Sequence, residues 1–119
     1  MNDWTLGAVE SRFADLIWQN APISSGALAK LALEVLNWKK TTAFTVLKRL
    51  CDRGIFQNQG GTVLVCISRE EFYARQSEMY INASFNGSLP AFLAAFGSRK
   101  QLSEQEIDAL QKIIDQMRR

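Results

Sequence analysis

The chain has 119 residues, 47% of them hydrophobic and 22% charged, with 14 basic side chains against 12 acidic ones. This is the composition of a folded chain forming one compact unit or two small ones, and a net charge of +2 is too small to dictate a nucleic-acid partner. Histidine is absent, which removes the commonest general base and zinc ligand; with no phosphate loop, nucleophile elbow or metal-ligand cluster either, no enzyme, catalytic residue, metal site or cofactor is expected.

Leu6 to Trp18 reads as a helix, because Val9, Phe13, Leu16 and Ile17 fall on one stripe. Glu10 lies in its first turn, where a carboxylate suits the helix dipole. Pro22 ends this helix and Ile23 can add a short strand. Ser24 or Ser25 can cap a second helix with Leu28, Leu31 and Val35 on its inner face. Asn37-Trp38 breaks that pattern, and a third helix begins near Lys40.

The third helix is sharply two-sided. Ala43, Phe44, Val46, Leu47, Leu50 and Cys51 fall on one side, and Thr41, Thr42, Thr45, Lys48, Arg49, Asp52 and Arg53 on the other. Gly54 follows as a normal residue past a helix end. Between Trp38 and Arg53 the charges are Lys39, Lys40, Lys48, Arg49 and Arg53 against Asp52 alone, so the positive charge is concentrated there and the remainder of the chain is net acidic. Ile55 to Asn58 and Thr62 to Ser68 read as two strands, the second alternating Val63, Val65 and Ile67 against Thr62, Leu64 and Cys66, with Gln59-Gly60-Gly61 as the turn. Three helices followed by a hairpin is the order of a winged helix-turn-helix. A helix of this kind fits the major groove of DNA. Arg49 can meet a guanine in bidentate fashion, Thr42 and Thr45 can offer hydroxyls or methyls, and Lys39, Lys40 and Lys48 can neutralise phosphates. Phe44, at the edge of the apolar side, is expected in the core. The wing tip, Gln59, Gly60, Gly61 and Thr62, carries no basic residue, so its contribution to DNA contact should be weak.

In the tail, Ser68 and Glu71 form a capping box for a fourth helix striped by Phe72, Met79, Tyr80 and Ala83, which Asn86-Gly87 ends. Ser88-Leu89-Pro90 starts a fifth helix with Phe92, Leu93 and Phe96, which Gly97 closes. Ser103 and Glu106 make a second capping box, with Leu102 and Ile107 placed as a hydrophobic staple, and Ile107, Leu110 and Ile114 continue the sixth helix. Arg118 and Arg119 suit its negative end. So many large groups in a short segment imply a partner surface, because small helical hairpins rarely bury enough area alone. The dimerisation residues expected are Phe72, Met79, Tyr80, Leu89, Phe92, Leu93, Phe96, Ile107, Leu110 and Ile114. A twofold dimer presents two reading helices to a palindromic site.

No apolar run is long enough for a membrane span and the start lacks the pattern of a secretory signal, so a cytoplasmic chain without membrane insertion is expected. Cys51 and Cys66 have no CxxC spacing and read as two buried thiols in a reducing compartment.

The residues at these positions resemble the BlaI/MecI/CopY family of bacterial transcriptional repressors, the penicillinase repressors. The likeness is carried by Glu10, Leu16-Ile17-Trp18, Trp38-Lys39-Lys40-Thr41-Thr42, Thr45, Arg49-Leu50 and Gly54, then by Phe85-Asn86-Gly87 and Leu102-Ser103-Glu104-Gln105-Glu106-Ile107, and it spans almost the whole chain. The resemblance implies a homodimeric winged-helix repressor on a dyad operator, derepressed when a membrane sensor with a metalloprotease domain triggers cleavage in the tail. The family's usual scissile pair is Asn-Phe, and the matching pair here is Ala95-Phe96. Other departures are Lys39-Lys40 in place of Ser-Pro, Phe44 in place of a frequent basic residue, a wing without its lysines, and no cysteine after Cys66, which argues against the copper-responsive branch.

The expectation is therefore a mainly α (α+β) chain, residues 1–69 forming a winged-helix DNA-binding domain and residues 70–119 a helical dimerisation domain of three helices. Two other readings stay open: a winged helix that binds protein instead of DNA, and a small-molecule-responsive regulator.

Overall fold

Three helices precede a β-hairpin and three follow it in the computed structural model, which describes residues 6–118. The elements are α1 (Ala8–Asn20), β1 (Ile23–Ser24), α2 (Ser25–Leu36), α3 (Lys40–Asp52), β2 (Phe56–Gln59), β3 (Thr62–Val65), α4 (Arg69–Phe85), α5 (Leu89–Arg99) and α6 (Glu104–Met117). The strands form one antiparallel sheet in the order β1-β3-β2. The chain divides into two compact units, residues 1–77 and 78–119. The first is a winged helix-turn-helix. The first turns of α4 belong with it, eight residues beyond the boundary at residue 69 expected from the sequence. None of the described helices is long and apolar enough to cross a membrane.

Local chemistry sets the element ends of the first unit. Ser24, not Ser25, caps α2, its hydroxyl accepting the Ala27 N–H at 3.1 Å. Asn37 ends α2 in the left-handed region at φ 58°, which a short polar side chain tolerates. In the wing, Gln59 pairs with Thr62, so the turn is only Gly60-Gly61. Both glycines have positive φ, as a two-residue hairpin turn matching the strand twist requires. Asn58 Oδ1 accepts the Gly61 N–H at 3.1 Å, and the Gly61 carbonyl accepts the N–H of Ser25 at 2.8 Å, which ties the wing tip to the start of α2.

The core of this unit is closed. Phe13, Ile17, Leu28, Leu50, Ile55, Phe56, Val63 and Phe72 are all fully buried. Trp18, on α1, links β2, α4 and the segment between β3 and α4. Its rings lie 5.2 Å from Phe56, 5.7 Å from Phe72 and 5.8 Å from Tyr73, and its indole N–H donates to the Ile67 carbonyl at 3.0 Å. That bond and the ring contacts fix the start of α4 beside α1 and the wing, assisted by the Arg69–Asp15 ion pair at 2.9 Å.

Several expected burials differ. Val9 is exposed, because the stripe of α1 becomes buried only from Phe13 onward. Val35 is 48% exposed and α2 packs instead through Leu28, Ala29 and Ala32. Small alanines let α2 lie close to α1 and α3, so packing selects their face over the bulkier stripe. β3 stops at Val65 instead of reaching Ser68. The N–H groups of Cys66 and Ile67 both donate to the one carbonyl of Ile55, at 3.1 and 3.3 Å, so the ladder cannot advance. Cys66 is exposed instead of buried. Cys51 is half-buried, and that burial pushes its thiol above the usual range.

In the second unit, α5 starts at a Ser88 cap whose hydroxyl accepts the Ala91 N–H at 3.1 Å. It passes through Gly97, expected to close it, and runs to Arg99. At the start of α6 the capping box is complete, with Glu106 N–H to Ser103 Oγ at 3.1 Å and Ser103 N–H to Glu106 Oε1 at 3.0 Å. The latter bond holds the Glu106 carboxyl below its ordinary pKa. Arg118 is the residue that ends α6, and Arg119 lies outside the described residues.

Candidate nucleic-acid interface

The third helix shows why its two faces differ. Ala43, Val46, Leu47 and Leu50 are buried, while Thr41, Thr42, Thr45, Lys48 and Arg49 are exposed. Thr41, Thr42, Thr45, Val46 and Arg49 border a shallow depression on that outer surface. Each of these groups has a definite state. The Thr45 hydroxyl donates back to the Thr41 carbonyl at 2.8 Å, which leaves its oxygen free to accept on an exposed residue. Lys48 pairs with Asp52 one turn on, at 3.0 Å with both side chains largely exposed, a weak bond that an incoming phosphate can displace. Arg49 Nη1 donates to Glu10 Oε2 of α1 at 3.1 Å.

Lys39 and Lys40 stand at the start of this helix. Lys39 is the residue before α3 and makes no side-chain cap, so no side chain satisfies the first-turn N–H groups of α3 from that position. The ammonium of Lys40 lies 5.7 Å from the Phe44 ring centre. Phe44 itself is half-buried and packed on the core. Together these residues make a helix N-terminus flanked by two cations, a setting that suits an anion. Arg53 is half-buried at the helix end and set apart from the threonine surface. Gln59, Gly60, Gly61 and Thr62 form the exposed wing tip, held by backbone hydrogen bonds and by the Asn58 side chain.

In the second unit none of the described residues is buried. Tyr80, Phe85, Phe92 and Phe96 form a chain of ring contacts 5.6–6.3 Å apart. Met79, Tyr80, Leu89, Leu93, Phe96, Ile107 and Ile114 are nevertheless exposed, and Phe92 and Leu110 only half-buried. An apolar groove of about 360 Å³ runs between α5 and α6, lined by Phe92, Leu93, Phe96, Leu102, Leu110 and Ile113 among others. Phe72 does not belong to this set. It is fully buried in the first unit's core and has no surface left for a partner. Exposed Ile113 and Met117 join it instead. Their signal was present in the sequence, since Leu110, Ile113 and Met117 recur at helical spacing. Glu10 was likewise missed as the partner of Arg49, because the two are far apart in sequence and only the packing of α1 near α3 brings them together.

Ala95 and Phe96 lie within α5, both exposed. The Ala95 carbonyl accepts the Ser98 hydroxyl at 2.8 Å, and the Phe96 carbonyl accepts the Lys100 N–H at 3.0 Å.

The sequence matches the penicillinase repressor family over residues 6–116. It is also similar to the penicillinase repressor of Bacillus licheniformis, with 27% identity over 105 residues that cover 85% of this chain and 82% of that protein.

Proposed function

The chain belongs to the penicillinase repressor family, and from that premise we propose that it is a homodimeric transcriptional repressor that reads a palindromic operator through α3. The observation that carries this reading is the outer face of α3. Threonine and arginine side chains border one open surface there, while Ala43, Val46, Leu47 and Leu50 are buried on the core side of the helix. In this arrangement Thr41, Thr42, Thr45 and Arg49 meet base edges in the major groove, and Lys39, Lys40 and Lys48 take phosphates. The wing adds little, because its tip offers backbone groups and amides but no cation.

The apolar surface of the second unit supports the dimer. Two copies that cover each other's α5 and α6 give both the core they lack, and twofold symmetry sets two α3 helices at half-sites about one helical turn apart, roughly 34–36 Å. Repression then follows from occupying a promoter. Cleavage at Ala95–Phe96 by a membrane sensor metalloprotease would end it, because the cut divides α5 and removes one wall of the apolar groove. The bond is helical, so α5 must open locally before an extended-chain protease cleft can take it.

The test is a gel shift with duplex from upstream of the protein's own gene. Arg49→Ala is expected to cost about 1–3 kcal/mol and to relax the choice at one base pair, while Lys40→Ala weakens all sequences alike and flattens the salt slope by about one. If both variants bind as the wild type does, α3 is not the reading helix.

A further inference from the structure

Two kinds of cation flank the outer face of α3. Lys39 and Lys40 have no carboxylate partner among the described residues, so each keeps a full charge for a phosphate. Arg49 is held by an acid from a different helix, its Nη1 donating to Glu10 Oε2 at 3.1 Å. That acid is itself anchored. Its other oxygen accepts the Gly7 N–H at 3.4 Å at the start of α1, and its side chain is 24% exposed against 55% for Arg49. A shielded, fixed carboxylate thus holds a guanidinium that remains open on the surface it shares with Thr41, Thr42 and Thr45.

This pairing changes what Arg49 does beside DNA. A lone guanidinium near a polyanion is drawn to the nearest phosphate, the largest charge within reach. Paired with a carboxylate it is close to neutral as a unit and releases little counterion on binding. Its remaining N–H donors are still present, and guanine O6 and N7 call for donors in a fixed fork more than for net charge. The bond also limits the rotamers of a long, flexible side chain, so less freedom is lost when the base arrives.

We propose that Glu10 is a positioning residue that determines specificity: it presents Arg49 to a base edge and withholds it from the phosphates. This rests on the reading of α3 as the DNA-contacting helix. The lysines would then supply affinity without sequence choice, and the Glu10–Arg49 pair sequence choice on the operator with little affinity for random duplex.

The experiment compares wild type, Glu10→Gln, Arg49→Ala and the double variant. Each is titrated on the footprinted duplex from upstream of the gene and on random-sequence duplex, across a salt series, with melting temperature recorded. Glutamine can still accept the Gly7 N–H through its carbonyl oxygen, and it puts an NH2 donor where the carboxylate oxygen held Arg49, so both the charge and the acceptor for Arg49 are lost. Glu10→Gln is expected to bind random duplex more tightly, to steepen the salt slope by about one, and to lose roughly fivefold or more in discrimination between the two duplexes. In the Arg49→Ala background Glu10→Gln should change discrimination no further, because its effect passes through Arg49. A Glu10→Gln protein with unchanged slope and discrimination, or one weakened equally on both duplexes with a lowered melting temperature, overturns the proposal and leaves Glu10 as a brace between α1 and α3. A wild type that does not discriminate at all overturns the reading of α3 and this proposal with it.

Discussion

Phe72 is sealed inside the first unit, while Phe96 in the second is 42% exposed. One residue type thus has opposite surroundings in one chain, and the contrast extends to the two units as a whole. In the first unit three helices and a sheet enclose Phe13, Ile17, Leu50 and Phe56 completely. In the second, the end of α4 and α5 gather Tyr80, Phe85, Phe92 and Phe96 into ring contacts, and no described residue is buried. The difference shows that short amphipathic helices form elements readily through caps and spacing. The closed core forms where helices pack on a sheet, and the three helices of the second unit bury none of their own residues.

Four measurements would break or sharpen that contrast. The largest effect is expected from Phe72→Ala, which opens a cavity in a closed core and should lower stability by about 3–5 kcal/mol, read from urea unfolding of the whole protein. A near-neutral result would mean that the first unit does not depend on the start of α4. Phe96→Ala should leave the first unit's unfolding unchanged and weaken self-association by about 2 kcal/mol or more, read from the concentration dependence of sedimentation. If association is unaltered, the groove between α5 and α6 is not the dimer surface. Ser103→Ala removes the cap of α6 and should cost about 1 kcal/mol, with the loss confined to the second unit when followed by hydrogen exchange. The smallest effect is on pH dependence. The Glu106 carboxyl is lowered by the Ser103 N–H, so its contribution is present above the ordinary carboxylate range and fades as pH falls through the lowered value. Glu106→Gln keeps the box and should flatten the acid-side change in α6 protection, and an unchanged acid profile would assign that dependence to another carboxylate.

The legibility of the chain followed the range of the forces involved. The caps at Ser88 and Ser103, the glycine turn of the wing and the two faces of α3 were all readable, because each depends on residues within a turn or two of one another. Val35 was misplaced because the choice between an alanine face and a leucine–valine face on α2 is made by how closely α1 and α3 approach. The end of β3 was misplaced because the Ile55 carbonyl, just before β2, takes two N–H groups at once. Phe72 was assigned to the partner surface because its spacing on α4 is the same as that of Met79, and spacing alone does not tell which unit a turn of helix joins.

The sequence by itself determined which segments are helical, where the hairpin turns, where the positive charge gathers and which family the chain resembles, since these rest on propensity, periodicity and local hydrogen bonds. Only the tertiary structure decided that Glu10 holds Arg49, that Trp18 fixes the start of α4 in the first unit and that the second unit lacks a core of its own. Those are contacts between residues far apart along the chain, or the lack of them, and no local pattern encodes which distant surfaces meet.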